Sequence, residues 1–320
     1  MVAKKYQVLG IGNAIVDVLA RVDDTFLKNH GGPKGSMTLL NAEQSSQLYA
    51  AMPAAIERSG GSVGNTIAGI AELGGRAAFI GKVKKDQLGK IFQHDLTSLG
   101  VAYLSTPSQD GEETARCMVL VTPDGERTMH TFLGASSHLT ALDINEAHIS
   151  DAEIVYFEGY LWDLPCAKDA YIKAMKTAKK TGGRVALSLS DAFCVARYRQ
   201  DFLGLVKNHV DILFANEEEI ISLYQTDTLE AACEAASQNV SLAAITRGAR
   251  GCIIIQGNTS FTIPAHETAV VDTTGAGDLF AAGFLHAITN GKPLEDAAMA
   301  GCLLASKVIS ILGARLTGAV

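Results

Sequence analysis

The chain has 320 residues, 48% hydrophobic and 19% charged, with a formal net charge of -7 and an isoelectric point near 5.6. That length buries a large core, as one α/β domain or as a main domain with a smaller appendage. The acidic balance and the absence of a Lys/Arg block argue against nucleic acid or anionic membrane as a partner, and six cysteines without a Cys-x-x-Cys pair imply reduced thiols in a cytoplasmic protein.

In chain order, the N-terminal run MVAKKYQVLGIGNAIVDVLA places two lysines before an apolar stretch, as a signal peptide does. Asn13 and Asp17 break that stretch and no clear small-residue cleavage site follows. Lys307 interrupts the best later apolar run, so a soluble protein without a spanning helix is expected. Strand-like runs recur at YQVLGI (6–11), AAFIGKV (77–83), EIVYFEG (153–159), RVALSLS (184–190), DILFAN (211–216), LAAITRG (242–248) and CIIIQG (252–257). Helical patterns lie between them near 62–73, 86–99, 169–180, 217–224 and 229–237. The alternation predicts a doubly wound, mostly parallel sheet with helices on both faces. Gly100 and the pair Gly182-Gly183 fall where C-terminal caps belong. After residue 272 only helices are expected, over 275–290 and 294–311; the first is apolar nearly all round and should be buried.

Two regions break the alternation. IVDVLARVDD and the loop GGPKG fall within 15–40, and TARCMVLVTPDGERTMHTFL (114–133) reads as a hairpin across a Pro-Asp-Gly turn. Inserts at about 15–40 and 107–135 are expected to pair into a small β-rich lid over a cleft; an edge extension of the main sheet is the alternative.

The chemistry-bearing motifs narrow the choice. No Gly-x-x-x-x-Gly-Lys-Ser/Thr is present, which excludes a P-loop. LGIGNAIVD imitates a dinucleotide fingerprint, but Ile15 stands where the third glycine belongs, and a dehydrogenase loses its main support. GGSVGNTIAGIAELGG (60–75) opens a small-residue helix with glycines and Asn65, either to admit a ligand or simply as an N-cap. Asn216 and Glu219, three apart at a strand-to-helix junction, read as a ligand pair or as a capping box. TRGARG (246–251) is a ligand loop or a tight turn. VDTTGAGDLF (271–280) sets glycines and an aspartate at the start of a helix, where unpaired backbone N–H groups hold an anion. GGSVGN, the Asn216–Glu219 pair and TRGARG are each expected at the C-terminal end of a strand, where open α/β sheets bind ligands.

Together these stretches resemble the ribokinase-like, PfkB-type family of carbohydrate and nucleoside kinases over essentially the whole chain. DTTGAGD (272–278) is the most specific element, joined by GGSVGN (60–65) and by Asn216 with Glu219; GIGNAIVDV and VALSLSDAF look most like adenosine kinases. The resemblance implies an ATP-dependent, magnesium-requiring kinase that phosphorylates a primary hydroxyl. Asp278 would be the base, Gly275, Ala276 and Gly277 the anion hole, and Arg127 a lid arginine that reaches the phosphates, unless it is a solvated hairpin residue. Asn13, Asp17, Gly61, Ser62 and Asn65 would hold acceptor hydroxyls. Thr246, Gly248 and Gly251 would flank the nucleotide, and Asn216 with Glu219 would organise magnesium through water. Asp272, Thr274 and the segment 311–317, Gly313 included, match a monovalent cation site, so potassium is an expected cofactor. AMAGCLLAS (298–306) departs from the family by lacking an Asn beside the adenine, which leaves the phosphoryl donor open.

The expected acceptor is a small molecule, a nucleoside such as adenosine ahead of a free sugar, with Tyr156, Phe157, Tyr160 or Trp162 against the base. Free-sugar phosphorylation and a non-catalytic sensor on the same fold are the alternatives. Monomer and homodimer remain equally open.

Overall fold

The computed structural model describes residues 4–162 and 164–316. Its strands are β1 (Tyr6–Ile11), β2 (Ile15–Arg21), β3 (Met37–Leu39), β4 (Ile56–Ser59), β5 (Ala77–Ile80), β6 (Ala102–Tyr103), β7 (Ala115–Val121), β8 (Arg127–Phe132), β9 (Ala152–Glu158), β10 (Arg184–Ser188), β11 (Ile212–Asn216), β12 (Leu242–Thr246), β13 (Cys252–Gln256) and β14 (Thr259–Ile263). Nine of them form one sheet in the order β14-β13-β12-β11-β10-β9-β1-β5-β6, parallel except where β13 and β14 turn back at the edge. Strands covered on both faces must be apolar throughout, and all six residues of β1 are buried.

Alternation along the strands divides the core. Val155 and Phe157 of β9 face one apolar cluster with Leu187 and Tyr171, while Ile154 and Tyr156 face a second with Phe79, Phe214 and Phe280. From β1 the chain continues to β5 and β6 on one side and to β9 and beyond on the other, so strand order reverses at β1. Past the strand ends at that switch point, the position where open α/β sheets bind ligands, stand Gly12, Asn13 and Glu158, all buried.

The expected helix Ser62–Glu72 packs against Ala276–Thr289, the largely apolar helix after the Gly-Ala-Gly turn. Their close approach depends on Gly69, where a Cβ would stand 2.8 Å from Leu279 and 2.9 Å from Ala282. Helices Ala42–Ala51 and Ala192–Asn208 carry no signal that the sequence reading used, and the run 77–83 ends as a strand at Ile80.

The remaining five strands form a second sheet, ordered β3-β8-β7-β2-β4. β7 and β8 are the Pro-Asp-Gly hairpin, with Thr122 N donating to Glu126 O at 3.0 Å, and β2 pairs with β7 in parallel. Ile56–Ser59 forms an edge that the sequence reading left out.

Candidate active site

Asp278 lies in the first turn of the helix Ala276–Thr289 and is half-buried. Its Oδ1 accepts from Ser62 Oγ at 2.6 Å and its Oδ2 from Asn65 Nδ2 at 2.9 Å, both from the start of the neighbouring helix. Desolvation pushes its carboxyl up to about 6, against the pull of Ser62, Asn65 and Arg315. Beside it, Gly275 takes φ 77° and serves as N-cap without a side-chain cap, so the first N–H groups of the helix have no intrahelical partner. A Cβ on Gly275 would stand 2.7 Å from Ala314 Cβ, which reserves this position for glycine. Ala276 is half-buried and Gly277 exposed, leaving an open helix N-terminus beside a carboxylate.

Asp17 on β2 is half-buried under Gly60, where a Cβ would meet its carboxylate at 2.4 Å. Desolvation raises its carboxyl to about 6, while Arg315 and Arg127 lower it and Asp278 raises it further. Gly61, at φ 80°, is the N-cap that turns the chain from β4 into the helix carrying Ser62 and Asn65.

Ser62 and two more of the residues expected to meet acceptor hydroxyls, Asn13 and Asn65, hydrogen-bond within the protein. Asn13 is buried; its Nδ2 and backbone N both donate to Glu158 Oε1, at 2.7 and 2.8 Å, and its Oδ1 accepts from Ser136 Oγ at 2.9 Å. Asn65 is buried between Asp278 and Arg315, whose Nε donates to Asn65 Oδ1 at 2.7 Å. Glu158 and Arg315 are the residues that sequence reasoning missed. Glu158 ends β9, accepts also from Val63 N at 2.9 Å, and is raised to about 7 by burial. Its only signal is a charge at the end of an apolar strand; that of Arg315 is a lone cation in a small-residue tail.

The nucleotide-side candidates form a separate group, divided from β1 by β9 and β10. Asn216 and Glu219 make a capping box: Asn216 Oδ1 accepts from Glu219 N at 2.8 Å, while Glu219 accepts from Asn216 N at 3.0 Å and Nδ2 at 2.7 Å. Glu219 is buried and raised to about 7 by desolvation. Thr246 pairs with Asn216 across β12 and β11, and Gly248 and Gly251 shape the turn that follows. No cluster of three or more metal-ligating His, Cys, Asp or Glu side chains occurs among the described residues. Each Glu219 oxygen accepts one hydrogen bond from Asn216 and keeps a further lone pair, so the residue could reach a magnesium through water. In the helix Leu294–Ile309, Met299 and Leu303 are exposed one turn apart, within the stretch 298–306 that lacks the expected Asn.

Arg127 of β8 forms an ion pair with Asp272 and donates to Thr274 Oγ1 at 2.9 Å, bridging the small sheet to the Gly-Ala-Gly turn. Its buried Nε has no partner among the described residues. Asp272 also accepts from Thr274 N at 3.0 Å, Thr274 Oγ1 at 2.7 Å and Gly313 N at 2.8 Å, and its carboxyl lies below the usual range: Thr274, Gly313 and Arg127 outweigh desolvation, the largest single influence. Donors rather than oxygens converge on this carboxylate, so the residues as placed do not fit a monovalent cation. Thr317, the last residue of that expected segment, lies outside the described residues.

The side of the small sheet that carries Asp17 and Arg127 also bears Arg58, opposite Asp17 in register, and Arg21 at the end of β2, and is otherwise mainly apolar. Ile15, Asp17 and Leu19 alternate with buried Val16, Val18 and Ala20, and Arg127, Met129 and Thr131 alternate with buried Thr128, His130 and Phe132. Register aligns Asp17 with Cys117, Thr131 and Leu39, and Leu19 with Val119, Met129 and Met37. Met37 and Leu39 are half exposed, at 52% and 50%. The expected aromatic platform is not there: Tyr156 and Phe157 are buried in the two core clusters, because a strand between helix layers turns both faces inward, and Trp162, in the turn after β9, is buried against Tyr171 and Phe202. Tyr160 alone is exposed, its hydroxyl 3.2 Å from Ser190 O.

A family model described as "pfkB family carbohydrate kinase" matches residues 42–318. The chain belongs to this family. PfkB kinases are phosphotransferases that act on hydroxyl groups and use ATP. Among solved structures, the adenosine kinase from Sinorhizobium meliloti is 48% identical with a TM-score of 0.90, over 97% of this chain and 96% of that one. A probable sugar kinase from Rhizobium etli CFN 42 is 46% identical with a TM-score of 0.91, over 98% and 95%. The adenosine kinase of Saccharomyces cerevisiae is 26% identical over 326 residues, 95% of this chain and 94% of that protein. These PfkB relatives share the fold and reaction class but divide over the acceptor. None of the helices among the described residues is long and apolar enough to cross a membrane.

Proposed function

We propose that this PfkB kinase transfers the γ-phosphoryl group of ATP to the 5′-hydroxyl of a nucleoside, adenosine first. The observation that carries the acceptor reading is the mainly apolar side of the small sheet, with Leu19, Met129, Leu39 and Met37 beside the carboxylate of Asp17. A free sugar offers hydroxyls on every side and gains little from such a surface. A nucleoside offers vicinal hydroxyls for Asp17 and a flat base for the apolar side chains. The small sheet is then the lid, closing over the acceptor and excluding water.

Asp278 takes the proton of the attacking hydroxyl as its oxygen bonds to the γ-phosphorus and the bond to the β-phosphate oxygen breaks. With a carboxyl near 6, Asp278 is mostly ionised at pH 7. The open N-terminus at Gly275, Ala276 and Gly277 stabilises charge on the transferring group. Asn13, Ser62 and Asn65 act mainly through other protein groups, leaving Asp17 and the Gly61 turn to face the ribose. Magnesium is expected on the nucleotide phosphates, with Glu219 reaching it through water. Potassium enters this reading only in a state where Arg127 has left Asp272 for the phosphates. The acidic charge and free thiols support a cytoplasmic enzyme with a small-molecule acceptor and neither nucleic acid nor membrane as partner, as monomer or homodimer.

The test is ADP release with MgATP and adenosine, ribose or fructose. A site that buries a base should favour adenosine in kcat/KM by at least about 10²-fold. A ratio below one would instead make the protein a sugar kinase.

A further inference from the structure

After the helix Leu294–Ile309 the chain passes along the site, and three successive residues touch three parts of it. Gly313 N donates to Asp272 Oδ2 at 2.8 Å, Ala314 packs on Gly275, and Arg315 reaches Asn65. Arg315 is 4% exposed, and its second donor is 3.3 Å from Ser59 Oγ at the end of β4.

The chemistry of these groups leaves Asn65 one orientation. A guanidinium has no acceptor and an ionised carboxylate has no donor. Between them, the amide must present Oδ1 to Arg315 and Nδ2 to Asp278, as observed at 2.7 and 2.9 Å. Without Arg315, Oδ1 loses its buried donor and the amide is held only through Nδ2 by the Asp278 carboxylate itself, so it can swing about that single hydrogen bond and carry the carboxylate off its aim. We propose that Arg315 is a positioning residue for phosphoryl transfer: it locks the Asn65 amide so that Asn65, with Ser62, aims the Asp278 carboxylate at the acceptor hydroxyl. This rests on the reading of Asp278 as the base.

The titratable groups around Asp278 are Asp17 from β2, Glu158 and Tyr156 from β9, Tyr160 from the turn after β9, and Arg315. Arg315 is the cation among them, so its removal should also make Asp278 harder to ionise.

The experiment measures kcat, KM and the pH–rate profile of wild type, Arg315→Met and Arg315→Lys, with MgATP and whichever of adenosine, ribose and fructose has the highest kcat/KM. Met should lower kcat by about 10- to 10²-fold, as a displaced catalytic group does. It should also move the acid limb up by about one pH unit while leaving the KM for ATP near wild type. Lys, which restores the charge but not the forked donors, should return the limb and only part of kcat. A folded Met variant with unchanged kcat and acid limb would overturn the proposal, and so would equal losses in both variants with an unmoved limb. In the wild-type protein, where folding is not in question, the Arg315 Nε–H should give a slowly exchanging ¹⁵N NMR signal that moves in Asn65→Ala; an unmoved signal overturns the lock without reference to activity. Near-normal turnover of Asp278→Asn would remove the base reading and this inference with it, a failure distinct from a failed NMR result.

Discussion

The proposed acceptor and nucleotide sites are both built where a chain segment turns into a helix, yet they hold their carboxylates in different ways. Glu219 is satisfied by Asn216, three residues away, in a capping box that any helix start can use. Asp278 is held by Ser62 and Asn65, 216 and 213 residues distant, and Glu158 by Asn13, 145 residues distant. A local box stabilises its own helix first. Desolvation raises all three carboxyls, so what separates them is the origin of their partners: a carboxylate held only by remote segments forms no local cap and exists only in the finished fold, and raised groups of this kind concentrate where chemistry needs them.

The sharpest break in this comparison is Asp278→Asn. The near-isosteric change should preserve fold and ATP binding and lower kcat by about 10²- to 10⁴-fold, the scale of general-base loss. Near-normal turnover in a steady-state assay would reduce Asp278 to a helix-start residue equivalent to Glu219.

Arg127→Met should come next, with kcat down about 10-fold or more and the acceptor KM changed less, since the arginine acts on charge that develops after closure. Because the variant leaves Asp272 without its cation, added potassium should raise its rate more than that of the wild type, and lithium less. Equal responses to both salts in both proteins would keep the cation site out of the mechanism.

The protonation of Asp278 sharpens the contrast through pH. In the ligand-free protein its carboxyl is raised to about 6 from the usual 3.8, so the folded state binds the proton more tightly than the unfolded one. The group's contribution to stability is therefore fully present below about pH 4 and is lost as pH rises through 6. Asp278→Asn should then gain melting temperature relative to wild type as pH rises from 5 to 7.5. Wild-type kcat/KM should fall over the same range in the opposite direction, below about pH 6. A difference in melting temperature that does not vary with pH would contradict the raised carboxyl.

The smallest effect belongs to the nucleotide side. Asn216→Ala removes an N-cap and should cost about 1 kcal/mol of unfolding free energy in denaturant titration. If Glu219 also reaches magnesium through water, the KM for MgATP rises as well; a pure cap moves only the stability.

What the sequence by itself determined is what neighbouring residues dictate. Buried parallel strands need unbroken apolar runs, so β1, β9, β11 and β12 were legible from those runs alone. The helix start at Gly275-Ala276-Gly277-Asp278 and the Asn216–Glu219 box follow from hydrogen-bond rings that close within three or four residues. Tertiary structure decided the rest. Asn13 and Asn65 have the chemistry to meet hydroxyls, but packing set Glu158 against one and Arg315, 250 residues away, against the other. Tyr156 and Phe157 have the chemistry to stack on a base, but helix layers on both faces of β9 drew them into the core, and the exposed apolar surface beside Asp17 belongs to aliphatic side chains of the small sheet. A side chain's type is written in the chain; its partner depends on which segments the fold brings within hydrogen-bond reach, and that is settled by the burial of the whole core rather than by local pattern.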